Sequence, residues 1–190
     1  MERLILNLST DHELMLSVRN GKIDQLGVLF ERHHKSLYNF FHKQNGNRQF
    51  SEDLVQEVFL RMLKYRHTYR GKGKFTTWMF SIARNAQIDY FRKQCRIDDE
   101  GPDNSMLVSE ESDPEEHLFQ KSEHALLQKA LLKLSPEKRE VLVLSRFHHL
   151  KYHEISEILG CNVNTIKARV FRAIKDLTKI YHEMAGENLP

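Results

Sequence analysis

The stretch Tyr152–Arg172, YHEISEILGCNVNTIKARVFR, decides the fold of the C-terminal part of the chain. Its first half predicts a short helix whose apolar face is made of Ile155, Ile158 and Leu159. Gly160 then predicts a turn, and Asn162 is a favourable N-cap for a second helix. Apolar residues recur along that second helix at spacings of four, four and three: Ile166, Val170, Ile174 and Leu177. This order predicts a helix-turn-helix.

The opposite face of the second helix is strongly basic. From Asn162 to Ile180 the chain has five Lys or Arg residues and one acid, Asp176. The residues of this face are Thr165, Lys167, Arg169, Phe171, Arg172, Lys175 and Lys179. A helix N-terminus followed by cations suits contact with phosphates first and with base edges second. A solvated amphipathic helix is the alternative, but the glycine turn before it favours binding to duplex DNA.

Composition excludes several classes of protein. The chain has 190 residues, 40% of them hydrophobic and 29% charged, and a net charge of only +3. No apolar run approaches the roughly 20 residues that span a bilayer, and no signal-peptide core precedes the first helix, so we expect a cytoplasmic protein. Cys95 and Cys161 are far apart and are interpreted as free thiols. Among the eleven histidines, His149 and His153 are separated by a helix break at Leu150-Lys151, so no metal site is predicted. No Walker loop or GxSxG elbow is present, and we expect no catalytic residue, no cofactor and no small-molecule substrate.

An acidic segment divides the chain. Residues 97–116 contain nine acids and no Lys or Arg, with Gly101, Pro102 and Pro114 among them. Such a segment buries too little apolar surface to offset the entropy of ordering, so we predict a flexible linker. The expected fold is all-α, with two small helical domains at 10–95 and 118–183 and the linker at 96–117.

The N-terminal domain is expected to contain four helices. Thr10 and Asp11 start a short helix that ends at Gly21. A long helix then presents Ile23, Leu26, Phe30, Leu37, Tyr38 and Phe41. Ser51 is predicted to cap a third helix with the buried stripe Leu54, Val55, Val58, Phe59, Met62 and Leu63. Its other face shows Asp53, Gln56, Glu57 and Leu60, which suits either a docking surface or a solvated face.

The fourth helix, from about Lys74 to Lys93, combines cations with aromatic rings. Gly71 and Gly73 make the loop before it permissive. From Tyr65 to Lys93 there are seven basic residues and one acid, and the helix carries the rings of Phe75, Trp78, Phe80, Tyr90 and Phe91. Cations that hold a backbone and rings that stack on bases are what single-stranded nucleic acid needs. Several of these rings must also be core, and Trp78 is expected to be partly buried.

Three motifs in this order resemble regions 2 and 4 of the sigma-70 family. They are Asp53–Arg61 (DLVQEVFLR), Phe75–Asn85 (FTTWMFSIARN) and Leu134–Arg139 (LSPEKR), the last followed by the helix-turn-helix. The lack of a domain between them resembles the extracytoplasmic-function, or group IV, sigma factors. The resemblance implies a transcription initiation factor that binds core RNA polymerase and promoter DNA, and it covers most of the chain apart from the linker.

The resemblance also implies roles for individual residues. Docking on the β′ clamp helices of the polymerase would use Asp53, Gln56, Glu57 and Leu60. Opening and reading of the −10 element would use Tyr69, Lys74, Phe75, Trp78, Arg84 and Asn85. Reading of the −35 element would use Thr165, Lys167, Ala168, Arg169, Phe171, Arg172 and Lys175. The family further implies contact with the β flap, a linker that lies in the RNA exit channel and active-site cleft, and an anti-sigma factor as partner.

Some residues depart from the family pattern. Asn164 replaces a usual glycine and Ala168 a usual small hydroxyl residue, which predicts an unusual −35 sequence. Lys151 stands where a Ser or Thr often caps the first helix of the reader, so we expect a loose start to that helix, at a cost of about 1 kcal/mol. The main alternative function is a free-standing helix-turn-helix regulator that binds operators as a dimer, and a nucleic-acid-processing enzyme is a more distant one.

Overall fold

The computed structural model describes residues 9–98 and 118–186. These residues form two compact units, one of 9–38 and 49–98 and the other of 39–48 and 118–186. Every element over the described ranges is helical, which confirms the all-α prediction. Residues 96–98, which the prediction assigned to the acidic linker, are the end of a helix, and the rest of the predicted linker, 99–117, lies outside the described residues. No helix in the described parts of the chain is long and apolar enough to cross a membrane.

The first unit is built from four α-helices, the second of which ends in the other unit. They are α1 Asp11–Arg19, α2 Gln25–Asn45, α3 Arg48–Lys64 and α4 Phe75–Asp98, with a 3-10 turn at Arg66–Thr68. Thr10 caps α1 as predicted: its hydroxyl accepts the Glu13 amide, and the Glu13 carboxylate accepts the Thr10 amide at 2.7 Å. This reciprocal pair satisfies two amides that the helix leaves free. It also lowers the pKa of Glu13.

Two details of this unit differ from the prediction. Ser51 does not cap α3, because the helix begins at Arg48, after Gly46 with a φ of +73°, and Ser51 is a buried interior residue. On α2 the buried residues are Leu29 and Leu37 in this unit and Phe40 and Phe41 in the part of the helix that belongs to the second unit, whereas Ile23 precedes the helix and is exposed. Leu29 is fully buried whereas Phe30 is 36% exposed, so the buried stripe of α2 includes Leu29 and not Phe30. The predicted stripe of α3 is buried from Leu54 to Met62.

The second unit contains the C-terminal helices. They are α5 Leu118–Lys133, α6 Pro136–Leu142, a π-helical turn at Val143–Phe147, α7 Tyr152–Leu159 and α8 Val163–Ala185. Arg139 of α6 closes the end of α5, since its guanidinium donates to the carbonyls of Leu131 and Leu134, each at 2.9 Å. These bonds satisfy carbonyls that the last turn of a helix leaves without partners. The Pro136 ring at the first position of α6 is compatible with a helix start.

Candidate DNA-binding and docking surfaces

The turn between α7 and α8 has the predicted geometry. Gly160 ends α7 with a φ of +65°, a conformation that favours glycine. The side-chain oxygen of Asn162 accepts the backbone N–H of Thr165 at 2.8 Å, which caps α8. Ile155 of α7 and Ile166 of α8 are both fully buried, and the two helices contact each other.

The start of α7 is held by a residue that the sequence analysis overlooked. The carboxylate of Glu154 reaches back and accepts the backbone N–H of Lys151 at 2.7 Å, and Glu154 is 3% exposed. The expectation of a loose helix start is therefore wrong. A Glu three residues after the capping position was the signal in the sequence.

The apolar side of α8 also turns out differently after Val170. Ala173 is fully buried, whereas Ile174 is 37% exposed. At about 100° per residue, a helix that buries Ile166 and Val170 turns position 173 inward and position 174 to the edge. The small side chain of Ala173 lets α8 approach its neighbours closely.

The outward face of α8 is free of the core and rich in cations. Phe171 is 72% exposed, and Lys167, Ala168, Arg172 and Lys175 are exposed as well. Two predicted residues are half-buried: Arg169 lies 3.7 Å from the Glu137 carboxylate, and the Thr165 hydroxyl lies 3.0 Å from Asn162. The predicted residues thus share one surface, with an apolar ring among positive charges.

Asp176, the one acid between Asn162 and Ile180, is already paired. Asp176 forms a short ion pair with Lys138 of α6, and this hydrogen bond lowers the pKa of Asp176. The carboxylate is therefore neutralised within the protein and subtracts little from the positive field of α8. The same pair joins α6 to α8.

In the first unit, the rings predicted for the −10 element, Tyr69, Phe75 and Trp78, form one cluster around the start of α4, whereas Tyr90 and Phe91 pack against Phe50. Tyr69 is 2% exposed and Phe75 is 4% exposed, so both rings are core. Trp78 is half-buried, as predicted, and its ring lies 5.0 Å from that of Tyr69 and 6.3 Å from that of Phe75. Lys74 and Asn85 are exposed. Burial, with the charge of Asp11 as the second cause, raises the pKa of Tyr69, whose hydroxyl stays protonated at neutral pH.

Helix α1 contacts this cluster, which the sequence analysis did not predict. The Tyr69 hydroxyl lies 3.0 Å from Nδ1 of His12, and the Tyr69 carbonyl accepts a hydrogen bond from Arg19 at 3.1 Å. These partners are 57 and 50 residues apart in the chain. No local pattern in the sequence pairs them.

The predicted docking strip lies on the solvent side of α3. Leu60 is 63% exposed, Asp53 and Gln56 are exposed, and the Glu57 side chain is 44% exposed. An exposed leucine among carboxylates is a surface that can bind a partner carrying both apolar and cationic groups.

Arg61 forms ion pairs that join the docking strip of α3 to α4. Its guanidinium lies 2.6 Å from the Glu57 carboxylate and 2.7 Å from that of Asp89 on α4, and its side chain is 19% exposed. Two clefts, of about 240 and 490 Å³, share Arg61 and Asp89 as lining residues. The smaller opens beside Asp53 and Glu57, and the larger beside Arg84 and Asn85. Arg84, itself half-buried, thus lies on the wall of the larger cleft. The spacing of four residues from Glu57 could have indicated the first ion pair.

Comparisons with known proteins match this arrangement. Residues 29–97 match the family model described as Sigma-70 region 2, and residues 124–177 match Sigma-70, region 4. The ECF RNA polymerase sigma factor SigW of Bacillus subtilis is 30% identical over 171 residues, which are 85% of this chain and 91% of that protein. BldN of Streptomyces coelicolor, named as another ECF sigma factor, is 29% identical over 88% of this chain, which spans only 64% of BldN.

A solved structure has the same fold. It is the sigma factor RpoE in complex with the anti-sigma factor NepR from Bartonella quintana, with a TM-score of 0.67 and 24% identity over 86% of this chain and 98% of RpoE.

Proposed function

The chain belongs to the extracytoplasmic-function group of the sigma-70 family and is a transcription initiation factor that directs RNA polymerase to promoters, and we propose that α8 is the element that reads the −35 sequence. The residues proposed for this contact are Thr165, Lys167, Ala168, Arg169, Phe171, Arg172 and Lys175. Five of the seven are exposed, Thr165 and Arg169 are half-buried, and all lie on one capped helix, which supports the assignment. The exposed Phe171 ring can contact a thymine methyl group, while the cations bind phosphates or guanine edges.

For the −10 element we propose the start of α4 and the loop before it. Lys74, Trp78, Arg84 and Asn85 would contact the separated strand, since Lys74 and Asn85 are exposed and Trp78 is only half-buried. The buried rings of Tyr69 and Phe75 would support Trp78 from below. Stacking on an aromatic ring contributes about 1 to 3 kcal/mol per base, which offsets part of the cost of unpairing.

Docking on core polymerase is assigned to the strip of α3. The proposed contacts with the β′ clamp helices are Asp53, Gln56, Glu57 and Leu60, and the C-terminal unit would contact the β flap. In this arrangement the polymerase supplies the chemistry and the chain itself is not catalytic. It would act in the cytoplasm, where polymerase and chromosome are found. The RpoE complex supports an anti-sigma factor as a further partner.

The observation that carries the proposal is the exposed basic face of α8 in the same chain as the acidic strip of α3. Run-off transcription with core polymerase and gel filtration test the two surfaces separately. Lys167→Ala with Arg172→Ala should reduce promoter-specific transcripts at least tenfold and leave co-elution with core intact. Reversal of charge at Asp53 and Glu57 should abolish co-elution.

Lys179→Ala is the matched control for the loss of charge on α8, because Lys179 is 77% exposed and lies farther along the same helix, beside Glu183. Equal transcription from the Lys167/Arg172 variant and from this control would refute the −35 assignment. A homodimer that shifts duplex DNA and ignores core polymerase would support the regulator alternative instead.

A further inference from the structure

The loop between α3 and α4 is held by helix α1. We propose that His12 and Arg19 are positioning residues, which fix Tyr69 and the loop to Gly73 in the conformation that receives the separated strand. This inference rests on the proposed role of the loop and of Trp78 at the −10 element.

The side chain and the backbone of Tyr69 are both bound by α1. The side-chain hydroxyl of Tyr69 lies 3.0 Å from His12, whose ring packs edge-on at 5.9 Å, and the backbone carbonyl of Tyr69 accepts from Arg19 at 3.1 Å. His12 and Arg19 are seven residues apart, so they lie on the same face of α1, two turns from each other. The helix therefore fixes the ring and the backbone of Tyr69 together.

The loop backbone also rests directly on the His12 ring. A Cβ built on Gly71 would lie 2.6 Å from Cε1 of His12, closer than carbon atoms pack. At Gly73, two residues later, a Cβ would have nothing within 4 Å. The close approach is thus specific to the point where the loop passes His12.

Helix α1 is itself anchored to α2. Asp11 lies 2.8 Å from Arg32 and 2.7 Å from His33, both on α2, and the Thr10–Glu13 capping pair fixes the first turn. Because these contacts do not involve the loop, α1 can serve as a fixed support for it.

Fixing Tyr69 also fixes the surroundings of Trp78. The two rings are 5.0 Å apart, so the Tyr69 ring is one wall of the site in which Trp78 sits. A ring that is already held in place binds a base at a smaller cost in conformational entropy than one that must be ordered first. Loss of the His12 contact should therefore weaken binding of the single strand without changing the groups that touch it.

The test is a double-mutant cycle on His12→Ala and Tyr69→Phe in the full chain bound to core polymerase. Anisotropy of a labelled single-stranded oligonucleotide with the −10 sequence of the non-template strand gives the Kd. Each single variant should weaken binding about threefold to tenfold, the effect of one hydrogen bond. The double variant should be no weaker than the worse single variant, because both remove the same contact. His12→Gln, which can still bond to the hydroxyl, should restore binding.

Core association is measured for every variant as the control. Additive losses, or unchanged Kd values in Tyr69→Phe, which keeps the ring, would overturn the inference while the −10 assignment stands. A residue with only a structural role would lower the melting temperature and leave the Kd at 25 °C unchanged. If wild-type holoenzyme forms but does not bind the oligonucleotide, the −10 assignment itself fails and the inference falls with it.

Discussion

Two glycines in the loop before α4 form a matched pair for a stability test. Gly71 has a φ of +67° and Gly73 a φ of +82°, so alanine at either position meets the left-handed penalty of about 1 to 2 kcal/mol. Alanine also has fewer conformations than glycine in the unfolded chain, which offsets about 0.4 to 1 kcal/mol of this penalty. Gly73→Ala, whose Cβ would meet nothing within 4 Å, should therefore destabilise the first unit by only about 1 kcal/mol.

Gly71→Ala carries an additional cost. The new methyl group would lie 2.6 Å from the His12 ring, so the ring must move and give up its contact with the Tyr69 hydroxyl. One hydrogen bond and local overpacking add about 1 to 2 kcal/mol. For a unit of this size that difference lowers the melting temperature by roughly 4 to 16 °C more than Gly73→Ala does.

Thermal unfolding of the full chain, followed by tryptophan fluorescence, measures this difference. The chain has a single tryptophan, Trp78, which lies in the first unit beside Tyr69, so the signal reports that unit. In a His12→Ala background, where the ring is gone, Gly71→Ala and Gly73→Ala should have equal effects. Equal melting temperatures of the two glycine variants in the wild-type background would refute the close contact between His12 and the loop.

Two further outcomes are expected. Burial, with the charges of Lys43 and His149, lowers the pKa of His148 from 6.5 to about 4. As the pH falls, the unfolded state therefore binds a proton at His148 before the folded state does. The contribution of neutral His148 to the free energy of unfolding is complete above about pH 6.5 and is lost as the pH falls towards 4. In His148→Gln the urea midpoint should depend less on pH across that range, and an unchanged pH slope would contradict this account. Arg61→Met should lower the free energy of unfolding by about 1 kcal/mol, since Glu57 and Asp89 are both partly exposed. Adding Asp89→Asn to this variant should lower it little further in denaturant titrations, and additive losses would argue against the shared ion pair.

Local chemistry made the reader predictable from the sequence. Gly160 and Asn162 act on their own neighbours, so residue type alone indicated the turn and the cap of α8. The sequence was a poorer guide to which residues are buried. After Val170 the buried residue is Ala173 and not Ile174, and the sequence did not predict this because a small alanine stands out less in an apolar pattern than an isoleucine does.

Long-range contacts could not be predicted in this way. Aromatic rings among cations look alike in sequence whether they are buried or exposed, and only the packing reveals that Tyr69 and Phe75 are buried while Trp78 is half-buried. The ion pair between Arg61 and Asp89 spans 28 residues, and the contact of His12 with Tyr69 spans 57. Residues so far apart in the chain are not related by the helical periodicity from which contacts can be predicted.

The two proposed DNA surfaces differ in construction because their tasks differ in energy. Duplex DNA is read without unpairing, so α8 can present exposed groups such as Phe171 and Arg172 on a capped helix. Strand separation costs a few kcal/mol per extruded base, which stacking must offset. A free ring would lose part of that gain on becoming ordered, whereas Trp78 is held against Tyr69, and Tyr69 in turn against α1. In the proposed −10 role, burial of most of the aromatic cluster would favour the opening of DNA, because Tyr69 and Phe75 are already ordered in the folded chain.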